Sequence, residues 1–120
     1  MLRTIQYSFP SKADGLEISC LAVVPELERN EKYRGIIQIV HGMSEYKERY
    51  IPFMEYMAER KYISVIHDHR GHGKSVRSKE DLGYMYGGGA DAMLQDIQTV
   101  NCLIKEHFPG IPLILFGHSM

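Results

Sequence analysis

Apolar residues recur along this chain with two different periods, and the order of those periods predicts its architecture. From Thr4 to Phe9 polar and apolar residues alternate, with Ile5, Tyr7 and Phe9 on one face. A period of two is that of a strand with one covered face. Pro10 to Gly15 reads as a turn, tightest at Asp14-Gly15. Alternation returns over Leu16 to Val24, where Leu16, Ile18, Cys20 and Ala22 share a face. Two such strands joined by a short turn predict an antiparallel hairpin. The charged stretch from Pro25 to Arg34 reads as a solvated connection.

The pattern changes at Gly35. Ile36, Ile37, Ile39 and Val40 are nearly continuous, which predicts a strand buried on both faces, as in a parallel sheet. A helix follows, with Pro52 in its first turn, where a missing N–H costs little. Phe53, Met54, Met57 and Ala58 form its inner stripe, and Glu55, Glu59 and Arg60 face water. Tyr62 to Ile66 is the next strand. Val76 to Gly89 is polar and glycine-rich and reads as a surface loop. Met93, Leu94, Ile97, Val100, Ile104 and Phe108 recur at helical spacing, in a helix begun or capped by Asp91 and ended by Pro109-Gly110. Leu113 to Phe116, bounded by Pro112 and Gly117, is the last strand. A hairpin followed by strand, helix, strand, helix, strand predicts an α/β fold of three layers, α/β/α, with right-handed crossovers between parallel strands.

In such sheets ligands sit beyond the carboxyl ends of the strands. Three glycine-containing polar stretches fall there: His41-Gly42-Met43, Asp68 to Ser75, and Gly117 to Met120. The last supplies four positions of the nucleophile elbow G-x-S-x-G, with Gly117 first and Ser119 as the serine. An ordinary turn after a strand has the same Gly-x-Ser. The convergence of three stretches on one sheet edge favours the elbow. A serine nucleophile needs an oxyanion hole of two N–H donors. The candidates are the backbone N–H groups of Met120 and Met43, with Gly42 admitting substrate to the backbone and His41 bracing the loop. His118 adjoins the serine, but neighbouring side chains diverge in a sharp turn, so it is a poor base. In elbow enzymes the acid and the histidine follow the serine in the chain, so both are expected after Met120.

Two rival chemistries are weaker. His67-Asp68-His69-Arg70-Gly71-His72 holds metal-ligand residue types, but no distal ligand set matches it. Gly73-Lys74-Ser75 is similar to the end of a phosphate loop, but position 68 is aspartate where that loop needs glycine, and no apolar helix follows. The expected role of this segment is structural, with Asp68 and Arg70 as paired braces.

Composition narrows the classes. The chain has 120 residues, 44% hydrophobic and 24% charged, with formal net charge -1, which suits one globular domain and gives no basic field for nucleic acid. Cys20 and Cys102 fit neither a disulfide framework nor a metal knuckle and read as buried free thiols, which suits a reducing, cytoplasmic location. No apolar run approaches the roughly 20 residues of a membrane span, and the first residues lack a signal-peptide core.

Taken together, His41-Gly42-Met43-Ser44-Glu45, Asp68 to Ser75, Gly117-His118-Ser119-Met120 and Phe108-Pro109-Gly110-Ile111-Pro112 resemble the α/β-hydrolase superfamily. Within it, the resemblance is to the monoacylglycerol lipase and lysophospholipase group, also grouped with serine aminopeptidases. It implies the amino-terminal part of a single α/β-hydrolase domain: the first five strands and two helices of an eight-stranded sheet, cut at the elbow, with cap and carboxyl-terminal half absent. It also implies attack by Ser119 on a monoacylglycerol- or lysophospholipid-like ester, an acyl-enzyme hydrolysed by water, and neither metal nor organic cofactor. The implied partner is a small lipid ester, met with transient contact at a membrane surface. Against this stands a catalytically incomplete fragment or a binding and assembly domain, self-associating through a raw sheet edge. A third reading keeps the scaffold and changes the reaction to a peptidase, thioesterase or haloperoxidase-like activity.

Overall fold

The computed structural model describes residues 2–43, 45–86 and 88–118. Its strands are β1 (Leu2–Pro10), β2 (Glu17–Pro25), β3 (Gly35–Val40), β4 (Tyr62–His67) and β5 (Leu113–Gly117), in the sheet order β1-β2-β4-β3-β5. β1 and β2 form the expected antiparallel hairpin, and β2 runs antiparallel to β4. β3 is parallel to both β4 and β5. The hairpin turn closes where the Asp14 carboxylate accepts the Leu16 N–H at 3.1 Å.

Two helices, α1 (Ile51–Glu59) and α2 (Gly89–His107), cover opposite faces of the sheet. Ile18, Cys20, Ala22 and Val24 pack with Val65 and with Val100 and Ile104 of α2. Leu21 and Val23 pack on the other side with Ile37, Ile39, Ile66 and with Met54 and Ala58 of α1. Successive strand residues point to opposite faces, so β2 is buried on both. The one-faced alternation expected for it describes only the α2 side. Gln38 interrupts the apolar run of β3 and is fully buried. Its amide donates to the Ile97 carbonyl at 3.0 Å and accepts from Asn101 at 3.0 Å, stapling β3 to α2.

Three expected positions differ. Cys20 is buried, but Cys102 lies on the exposed side of α2. Leu94 is exposed, while Asp96 turns inward with Ala92, Thr99, Val100 and Ile104. Phe53 lies at the rim of the α1 stripe and stacks on Phe116, with ring centroids 5.5 Å apart and planes 24° apart. β5 pairs only with β3 among the described strands, so Ile114, Leu115 and Phe116 remain 52%, 59% and 39% exposed.

Buried Asp96 is explained by the segment after β4. Loops usually run over the surface, because a buried loop must find partners for every polar group. The stretch from Asp68 to Ser75 is largely buried and finds most of them. The Asp68 carboxylate accepts the Lys47 N–H at 2.7 Å, the Lys47 ammonium at 2.8 Å and the Lys74 N–H at 3.0 Å. Burial opposes the Lys47 charge, but its bonds to Asp68 and Glu48 outweigh that and raise its pKa. Ser75 Oγ donates to the Asp68 carbonyl at 2.8 Å and accepts the Ser19 N–H at 2.9 Å, tying the loop to β2. Arg70 donates to Asp14 through both terminal nitrogens at 2.9 and 3.0 Å, to Asp96 at 3.0 Å and to Ser11 at 3.0 Å. Asp68 and Arg70 are therefore not paired with each other, contrary to expectation. Each anchors its own network instead: both lie beyond the end of β4, where Asp68 is taken up by Lys47 and Arg70 by Asp14 and Asp96. Gly71 and Gly73 have φ of 79° and 51°. A Cβ at Gly71 would collide with the Tyr84 backbone, and one at Gly73 with the Asp68 carboxylate.

The segment from Val76 onward is the expected surface connection, with one short 3-10 turn at Lys79–Asp81. Removing one member of a buried ion pair leaves the other charge uncompensated, at a cost of about 3–5 kcal/mol. Asp96→Ala, which strips Arg70 and Ser11 of an acceptor, is expected to lower unfolding free energy by about that amount. Asp96→Asn is expected to cost less, and urea denaturation of both variants checks the order.

Candidate active site

β3 ends at Val40, and the next three residues are held from several directions. The His69 N–H donates to His41 Nε2 at 3.0 Å, and His69 Nε2 lies 2.9 Å from the His41 carbonyl. A backbone N–H only donates, so Nε2 of His41 carries no proton. Burial lowers the His41 pKa, so the ring is neutral and its proton sits on Nδ1. That proton is donated to the Gly42 carbonyl, 2.7 Å away. His69 Nε2 donates in turn to the His41 carbonyl. The loops after β3 and β4 are thereby joined by a reciprocal pair of hydrogen bonds.

The carboxylate of Glu45 completes the setting. Its Oε1 accepts the Gly42 N–H at 2.6 Å and the Tyr50 hydroxyl at 2.8 Å, and lies 3.3 Å from His118 Nδ1. The Gly42 N–H first, then the Tyr50 hydroxyl, hold the Glu45 pKa down to about 2. Burial, then the bond to Glu45, pushes Tyr50 up to about 12. Tyr50 precedes α1, so Glu45 ties that helix to the loop after β3. On the other side, the His118 N–H donates to the Val40 carbonyl at 3.0 Å. The structure thus brings His41, Gly42, Met43, Gly117 and His118 to one sheet edge. The Met43 side chain is 61% exposed there, and the His118 ring is exposed and turned to Glu45. Ser119 and Met120 lie outside the described residues, as does Ser44.

The rival chemistries meet their geometry here. His41, His67, His69 and His72 cluster, with the His41–His69 and His67–His69 ring centroids 4.3 and 5.2 Å apart. Yet the bonded ring nitrogens of His41, His69 and His72 serve backbone groups. Both nitrogens of His67 and Nδ1 of His69 meet no partner among the described residues. No group of three or more His, Cys, Asp or Glu side chains among those residues is placed to hold a metal. The Lys74 N–H, which a phosphate loop would offer to an anion, is taken by the chain's own Asp68.

Sequence reasoning assigned no role to Glu45, Lys47, Tyr50 or Asp96. Glu45 had a local signal, since a carboxylate three residues after a glycine is within reach of that glycine's N–H. The buried histidines make acid sensitivity predictable. Burial holds His67 well below its ordinary 6.5 and lowers His69 to about 4. With the folded pKa depressed, the unfolded chain binds more protons between those values, so stability falls as pH drops from about 6.5 to about 4. Glu45 extends the loss from about 4.5 down to about 2. Urea midpoints measured across this range are expected to decline from the histidine window onward. A flat profile between about 6.5 and 4.5 would contradict the assignment.

Comparison with known proteins adds to this geometry. The chain is 31% identical over 90 residues to a monoglyceride lipase homolog of Monkeypox virus, a match covering 72% of this chain and 30% of that protein. It is 30% identical over 88 residues to the monoglyceride lipase of Homo sapiens, covering 72% of this chain and 27% of that protein. The matches thus span less than a third of these relatives. A thermostable carboxyl esterase from Bacillus coagulans, solved with glycerol, superposes with TM-score 0.85 at 30% identity, over 98% of this chain and 36% of that one. A soluble variant of monoglyceride lipase from Saccharomyces cerevisiae shares the fold, with TM-score 0.73 at 24% identity, over 96% of this chain and 35% of that one. The family described as Serine aminopeptidase, S33 matches residues 31–120. With its five-stranded mixed sheet and the loop joined at His41 and His69, the chain belongs to that family of α/β-hydrolases.

Proposed function

We propose that this chain is the amino-terminal part of a serine hydrolase that cleaves carboxylic esters of monoacylglycerol or lysophospholipid type. The observation that carries the reading is the bond from the His118 N–H to the Val40 carbonyl. It sets the residue preceding Ser119 beside the strand that leads into His41-Gly42-Met43. In the proposed reaction Ser119 Oγ loses its proton to a histidine base and bonds to the ester carbonyl carbon. The carbonyl π electrons move to oxygen, and the N–H groups of Met43 and Met120 stabilise that oxyanion. Collapse expels the alcohol, which takes the proton from the base, and leaves an acyl-serine. Water, activated by the same base, then releases the fatty acid. The base and its acid partner are assigned to residues beyond Met120.

The lipid ester is favoured over a peptide or thioester because three of the relatives, that of Homo sapiens among them, are monoglyceride lipases by name. No described helix is long and apolar enough to cross a membrane; transient contact with a lipid surface is part of the proposal. A cytoplasmic setting is part of the proposal, and the unpaired Cys20 and Cys102 are compatible with it. Ser119→Ala in the full-length gene product is expected to abolish hydrolysis of a monoacylglycerol while leaving the urea midpoint unchanged. Retained turnover would reject the assignment.

A second reading has its own observation. The apolar side chains of Ile114, Leu115 and Phe116 stand exposed along the outer edge of β5. An unpaired apolar edge is a template for another strand. Residues 1–120 alone are therefore expected to self-associate and to stay unlabelled by a fluorophosphonate. A monodisperse monomer in light scattering would oppose this, and labelling at Ser119 would favour residual chemistry.

A further inference from the structure

The Gly42–Met43 peptide carries two groups on one rigid plane, the Gly42 carbonyl and the Met43 N–H. In a trans peptide they point in opposite directions. There are no cis peptide bonds among the described residues. Whatever holds the carbonyl therefore aims the N–H. The His41 ring holds the carbonyl at 2.7 Å, and its proton is on the required nitrogen because His69 occupies the other. The preceding peptide is held independently, since the Gly42 N–H donates to Glu45 Oε1 at 2.6 Å. Gly42 has no Cβ to limit rotation at either side, so these two side chains supply the restraint that a larger residue would supply itself. The Met43 N–H, so aimed, meets no acceptor among the described residues.

We infer that His41 and Glu45 are positioning residues: together they clamp Gly42 from both sides and fix the Met43 N–H in the direction an oxyanion requires. The clamp reaches further than the loop. Through the same oxygen, Glu45 meets Tyr50 at the head of α1 and faces His118 before the nucleophile, so one carboxylate sets the donor loop and the elbow relative to each other. The Gly42 N–H and the Tyr50 hydroxyl favour the ionised form of Glu45, which the clamp uses as its acceptor. This inference rests on the serine-hydrolase reading, and its failure is separable from that one.

The test uses the full-length gene product. An oxyanion donor is worth roughly 100- to 1,000-fold in kcat. Loosening one rather than deleting it is expected to cost roughly tenfold. Glu45→Ala is expected to lower kcat by about that factor with KM little changed, and to speed hydrogen exchange at the Gly42 amide. Glu45→Gln keeps an acceptor oxygen and is expected to recover most of the loss. His41→Gln places an amide where Nε2 was but offers nothing to the Gly42 carbonyl, and is expected to lower kcat likewise. An unchanged kcat in Glu45→Ala, or an effect confined to KM, overturns the clamp, the latter by making Glu45 a substrate contact. If those results occur while Ser119→Ala is dead, the hydrolase reading stands and only the clamp falls. If Ser119→Ala stays active, the reading beneath it falls first.

Discussion

Two buried charges in the connection after β4 determine what the rest of the site is able to be. Asp68 and Arg70 are both withdrawn from water, and neither is tolerable there without several partners. Asp68 recruits Lys47 from the segment leading into α1, and Arg70 recruits Asp14 from the hairpin turn and Asp96 from α2. The requirement to neutralise one short loop thus draws in the turn, the segment before α1, α2 itself and, through Ser19, β2. A loop satisfied in this way is rigid, and His69 sits inside it. The rigidity reaches the loop after β3 through the reciprocal bonds between His69 and His41.

This arrangement gives the charged residues at this sheet edge a structural purpose. Their work is to make the sheet's carboxyl edge stiff on the length scale of a hydrogen bond. Catalysis by preorganised donors depends on such stiffness, because a donor that must reorient at the moment of reaction loses most of its worth. The neutral histidines serve the same end. Burial keeps His41, His67 and His69 uncharged, so His41 and His69 act as directional hydrogen-bonding groups inside a low-dielectric region and none of the three adds charge to it.

The legible part of the chain was what repeats locally. Ile36, Ile37, Ile39 and Val40 mark a doubly buried strand, and the glycines at 42 and 117 fall at strand ends as the motifs require. Long-range pairing was not legible. Asp68 and Arg70 stand two residues apart and look like partners, but their charged partners lie between 21 and 56 residues away. Leu94 and Asp96 show the same limit. Periodicity put the apolar Leu94 inward, whereas the need of Arg70 for a counter-charge rotated the helix enough to bury Asp96 instead. Glu45 was part of a motif that could be quoted from sequence, yet its role depends on Tyr50 and His118, and only folding brings those to it.

The sheet order has a further consequence for how the molecule is made. β3 is synthesised early and gains β4 on one side soon after, but its other neighbour is β5, about 70 residues further along. At roughly 5–20 residues per second, a ribosome leaves that flank of β3 without its partner for several seconds. During that wait the backbone amides of Ile36 to Val40 are open to any extended segment that drifts past. The register that finally aligns the loop after β3 with the end of β5 is therefore set late, by the arrival of one five-residue strand.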